Sequence, residues 1–98
     1  MLWETIELRL HKAHSDEMIE MILGIPKQFK EDCQGCRIKL HRNLTIETDW
    51  RISICHYGLT TAFLSEPSVI AVKMTALLER FGLVYYSVWE SIEGDECF

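Results

Sequence analysis

Cysteines, histidines and arginines are the residues of this chain whose types and spacing bear on chemistry. Cys33-Gln34-Gly35-Cys36 has the Cys-x-x-Cys spacing. It lets two thiolates share a metal ion, or lets one thiol attack a disulfide that the other then resolves. A closed zinc site needs about four ligands, and the chain has no second Cys-x-x-Cys and no His-x3–5-His. Cys55, His56, His41 or Cys97 would have to complete the set through folding. A thioredoxin-like pair belongs at a helix N-terminus after a strand, whereas this pair follows a helical segment, and Gly35 is equally explained as a helix stop. Cys33 and Cys36 stand as a metal or thiol-redox candidate on spacing alone. His11-x-x-His14 reads as a solvated loop pair. Cys55 and His56 are neighbours on a strand, so their side chains leave opposite faces and cannot form a nucleophile–base pair within one sheet.

A second set is Arg9, His41, Trp50, Arg51 and Tyr57, the candidate ligand-binding residues. Two guanidiniums can hold an anionic or carboxylate group while Tyr57 or His41 donates a hydrogen bond. Arg9 or Arg51 can equally pair with Glu7 across strands, in which case the group is a structural ion-pair network.

The elements that position these residues follow from periodicity. Residues 2–10 (LWETIELRL) alternate in their second half, with Ile6, Leu8 and Leu10 on one side and Glu7 and Arg9 on the other, as a half-buried strand does. Ser15 is the expected cap of a first helix, with Asp16 and Glu17 in its first turn. Met18, Ile22, Ile25 and Phe29 give that helix one apolar face, and Pro26 predicts a kink or a break after Gly24. Residues 36–42 and 49–57 alternate as two strands joined by a short hairpin. A connection with an apolar stretch, Leu59–Leu64, leads to a second helix over 66–81, capped by Ser65 or Glu66 and stopped by Gly82. Residues 83–90 (LVYYSVWE) have the aromatic and β-branched content of a last strand. The expected domain is residues 1–92, with 93–98 an acidic tail.

This order is β-α-β-β-α-β. It predicts an α+β, ferredoxin-like domain, a four-stranded antiparallel sheet with two helices on one face. Ile6, Leu8, Leu10, Ile38, Leu40, Ile52 and Ile54 face the helices. The other face carries Glu7, Arg9, Arg37, Lys39, His41, Arg51, Ser53, Cys55 and Tyr57, joined by Tyr85, Ser87 and Trp89 if the last strand has the matching register. Such a mixed face fits a solvated surface, a dimer interface, or a base-stacking platform. The 98 residues carry a net charge of −5, which argues against nucleic acid as a partner because a phosphate-backbone binder gains from a basic surface. The start of the chain lacks a basic n-region and an apolar h-region, and no apolar run is long enough for a membrane span. The expectation is a cytoplasmic protein with thiol cysteines and no membrane partner.

The layout, the size, the amphiphilic sheet face and the closing FGLVYYSVWE (Phe81–Glu90) resemble the dimeric α+β barrel superfamily, nearest to the antibiotic-biosynthesis-monooxygenase-like domains, over residues 2–92. The resemblance implies a homodimer assembled through the sheets and a pocket in each subunit between the sheet and the helices or loops. Members of that superfamily include cofactor-independent oxygenases of aromatic substrates and haem-degrading enzymes. Haem-degrading members place a ligand histidine on the second helix, and residues 66–81 contain none. Oxygenase-type members often carry a histidine there, after a tryptophan on the third strand; Trp50 is present without it. The expected protein is a homodimer binding a small organic ligand with no cofactor, and cofactor-independent monooxygenase-like activity is left open. The alternatives are a non-catalytic dimerisation or regulatory module, or a metal or thiol-redox protein using Cys33 and Cys36.

Overall fold

Alternation along the first strand sets the geometry of the whole molecule. In the computed structural model, which describes residues 2–11, 16–57 and 66–92, β1 (Leu2–Leu10) turns Leu2, Glu4, Ile6, Leu8 and Leu10 inward, all of them buried. Helix α1 (Asp16–Leu23) ends at Gly24, and a separate short turn, α2 (Ile25–Gln28), holds Pro26 where its missing donor is harmless. The break after Gly24 agrees with the sequence. Strand β2 (Cys36–Arg42) and strand β3 (Asp49–His56) form the expected hairpin. Its connection is closed by Asn43, whose side-chain oxygen accepts from the backbone N–H groups of Thr45 and Ile46.

Helix α3 (Val69–Leu78) and strand β4 (Gly82–Glu90) complete the order. Two sequence expectations need correction here. Ser68 is the cap in place of Ser65 or Glu66, its hydroxyl accepting from the Ala71 N–H at 3.2 Å, and Pro67 lies before the helix. Gly82 opens β4 instead of ending α3: a Cβ there would run into the Arg9 carbonyl of β1.

The sheet order is β2-β3-β1-β4, all neighbours antiparallel. This is the β-α-β-β-α-β, ferredoxin-like arrangement, with the first helical stretch divided in two. One core lies between helices and sheet, built from Ile6, Leu8, Leu10, Ile22, Ile25, Phe29, Trp50, Ile52, Ile54, Ile70, Met74 and Leu78. The opposite face has no helix among the described residues. There Leu83, Tyr85 and Trp89 of β4 are 67%, 69% and 62% exposed. No described helix is long and apolar enough to cross a membrane. The Ser15 cap, His14, the Leu59–Leu64 stretch and the 93–98 tail lie outside the described residues.

Candidate functional site

Register brings the charged residues of the open face into two rows. His41 stands opposite Arg51, Arg51 opposite Glu7, and Glu7 opposite Tyr85; alongside run Asp49, Arg9 and Leu83. A depression of about 510 Å³ lies over these rows and reaches Trp50, Leu8 and Val84, which alternate to the other face. Arg9 donates from Nε and Nη2 to the two carboxylate oxygens of Asp49, both at 2.9 Å, and Arg51 donates to Glu7 at 3.1 Å. The Arg9 bonds hold the Asp49 carboxyl below its ordinary range, and Asp49 in return raises Arg9.

Arg9, His41, Trp50 and Arg51 are thus brought together, and Tyr57 is not. It follows β3 at the other end of the strand and lies outside the depression. Of the two arginines, Arg51 takes Glu7 and Arg9 takes Asp49, because each faces its own partner directly across β1 and β3.

Trp50 is 5% exposed. The Arg42 guanidinium lies 5.4 Å from its ring centroid, a cation–π contact. Its indole Nε1 is buried with no hydrogen-bond partner among the described residues. Leaving such a donor unsatisfied costs about 1–3 kcal/mol.

A second constellation lies on the helix side. Glu4 is fully buried, and one carboxylate oxygen receives His56 Nε2 and the Ser68 hydroxyl, both at 2.5 Å. The other receives the Ser68 N–H at 2.9 Å and the Tyr86 hydroxyl at 2.7 Å. Burial raises the Glu4 pKa, but the bonds from His56, Ser68 and Tyr86 outweigh it and bring the value down to about 2. Burial, then the bond and charge of Glu4, push the Tyr86 phenol above its ordinary value. A carboxylate that fixes an imidazole is the arrangement that orients a general base. Here it also bonds the N–H of the cap residue, as the glutamate of a capping box does, but from a strand instead of the helix. The Glu4 signal was present in the sequence: it shares the inward parity of Leu2 and Ile6, where a charge needs partners.

Cys33 and Cys36 are joined in a disulfide, and Cys55 is disulfide-bonded as well. The expectation of thiols is corrected for these three. Two intervening residues, with Gly35 at φ 73°, bring the Cys33 and Cys36 Cα atoms to 5.2 Å, inside the range a disulfide spans. In this state neither sulfur is a metal ligand. Gly35 serves that turn and does not stop a helix, since α2 has already ended at Gln28.

No family model matches the chain, and no curated protein does. Among solved structures it is similar to a Deinococcus radiodurans protein named as a candidate antibiotic biosynthesis monooxygenase. The TM-score is 0.63 at 16% identity, over 100% of this chain and 99% of that one. The chain has the fold of the antibiotic-biosynthesis-monooxygenase-like domains, as the resemblance implied, and at this identity the likeness concerns the fold.

Proposed function

We propose that the chain acts as a homodimer closed through its open sheet face, and that each subunit binds a small organic molecule in the depression over β3, β1 and β4. The carrying observation is the depression of about 510 Å³ on the open face, where Arg9, His41, Arg51 and Tyr85 gather. A cavity of several hundred Å³ with a few placed polar groups suits a small ligand. Arg9, Arg42 and Arg51 line it against Glu7 and Asp49, three cations to two anions, with Leu83, Tyr85 and Trp50 supplying apolar and aromatic wall. This composition fits an aromatic or apolar molecule bearing one acceptor or weakly anionic group. Both carboxylates already hold arginines, so the wall is better equipped to bind than to abstract a proton.

The test is calorimetric titration with an aromatic carboxylate probe, 2-naphthoate, on the wild type and on Arg51→Gln. Replacing guanidinium by amide removes the charge and keeps a polar side chain on the same face. Loss of one hydrogen bond to a charged acceptor is worth about 1.5–3 kcal/mol, so the variant should bind at least about tenfold more weakly. Absence of saturable binding by the wild type, or equal affinity in the variant, would overturn the reading.

A further inference from the structure

We propose that Cys33 and Cys36 form a working dithiol–disulfide couple in which the Cys36 thiol is activated by His56, itself held by Glu4. The group is separate from the ligand depression: Cys36, His56 and Glu4 all lie on the helix side of the sheet.

Cys36 opens β2 and stands directly opposite His56 of β3. Directly opposed residues on one face have Cβ atoms about 4.5–5.5 Å apart, a spacing that lets a thiol and an imidazole meet once the disulfide opens. Nε2 of His56 is committed to Glu4, which leaves the other ring nitrogen for a sulfur. Nucleophile, base and orienting carboxylate are the three parts of an activated thiol. Tyr57 N–H donates to the Gly35 carbonyl at 3.3 Å, tying the turn that carries the cysteines to the end of β3. Both cysteines are half-buried rather than sealed, and they open onto a small cleft of about 150 Å³ that Lys30 and Arg37 also line. Cations beside a cysteine favour its thiolate. The pair that sequence reasoning set aside, Cys55 with His56, is on opposite faces of β3; the thiol beside His56 comes from the neighbouring strand.

The exchange balances as follows. In the dithiol state the imidazole takes the Cys36 proton, and the thiolate attacks a substrate disulfide. One substrate thiolate leaves and receives that proton. The Cys33 thiol loses its own proton and attacks the Cys36 sulfur, releasing the second substrate thiol. The substrate disulfide is reduced by two electrons, and Cys33–Cys36 is oxidised to the bond seen here. Two small-molecule thiols of the glutathione class restore the dithiol and become one disulfide.

The experiment equilibrates the full chain in mixtures of reduced and oxidised glutathione, alkylates it with iodoacetamide, and locates the modified cysteines by peptide mass. The reduced protein is then alkylated across pH 5–10, alone and as His56→Gln. The proposal expects the Cys33–Cys36 bond to open and re-form with the glutathione ratio. It also expects Cys36 alkylation to titrate at least one pH unit below the ordinary cysteine midpoint of about 8.5, an approximately tenfold gain in thiolate near neutrality. In His56→Gln the midpoint should return toward the ordinary value. A bond that survives millimolar reduced glutathione marks a structural crosslink and overturns the proposal. So does an ordinary Cys36 midpoint in the wild type, or a lowered one unchanged in His56→Gln. If the variant does not fold, the wild-type equilibration and pH profile decide alone.

Discussion

Glu4 accepts four hydrogen bonds from three residues, so its charge state governs more of the fold than any other single group described here. With a folded pKa of about 2 against an ordinary 4.5, its contribution is fully present above the unfolded value. It is lost as pH falls from about 5 toward 2, because the unfolded chain takes up the proton more readily. His56, Tyr86 and Ser68 are the groups that face it. A shift of this size corresponds to roughly 3 kcal/mol. Urea unfolding followed by tryptophan fluorescence at several pH values should show that loss in the wild type. Glu4→Gln should unfold more easily by about 2–4 kcal/mol at pH 7, since an amide cannot accept all four bonds, and should lose much less on acidification. A wild type equally stable at pH 3 and pH 7 would contradict this. Alternation places Arg9, His41 and Arg51 on one sheet face and Trp50 on the other, so the neighbourhood of the three, though not a ligand-binding role, was legible. The convergence of Glu4, His56 and Tyr86 was not, because they lie on three different strands and only the register brings them together.

At the scale of elements, the start of α3 and the start of β4 depend on single residues. Ser68→Ala removes the acceptor for the Ala71 N–H and a donor to Glu4; caps of this kind are worth about 0.5–2 kcal/mol, and the second bond places the expected loss toward the upper end. Gly82→Ala puts a methyl group against the β1 backbone, which cannot yield as a flexible side chain would, for an expected loss of about 1–3 kcal/mol. Midpoints of urea or thermal unfolding check both, and a Gly82→Ala protein as stable as the wild type would refute the close approach. Three strands were legible from period-two patterning and the last from its aromatic and β-branched content, within a residue or so at each end. The divided first helix was legible too, since Pro26 forbids a continuous ladder at that point. The cap of α3 was misread because Ser65, Glu66 and Ser68 are all plausible by type. Only Glu4, more than sixty residues earlier in the chain, favours Ser68.

For the whole molecule, the open face decides whether one chain is the functional unit. Four strands about 4.8 Å apart, at about 3.3 Å per residue over the nine residues of β1, give a face of roughly 19 by 30 Å. Thr5, Ser53 and Cys55 on this face are already buried within the single chain. A second copy thus meets the end around Glu7, Arg9, Arg51 and Tyr85 together with the β4 side, a footprint below the ~800 Å² per partner of a standard interface. Burying charges is costly when they are unpaired, and here Arg9 already holds Asp49 and Arg51 already holds Glu7 within one subunit. A second copy can cover that end of the face without needing to supply counter-charges to these pairs, while Leu83, Tyr85 and Trp89 provide the apolar area that drives association. Light scattering coupled to size exclusion should therefore give a dimer at micromolar concentration. Tyr85→Glu combined with Trp89→Glu should give a folded monomer, because both side chains are well exposed in the single chain and exposed substitutions usually change stability by no more than about 0.5 kcal/mol. Affinity for 2-naphthoate should fall with the dimer, since the depression loses the sheet that closes it. A wild-type protein that stays monomeric, or a double variant that dimerises as before, removes the sheet face as the interface.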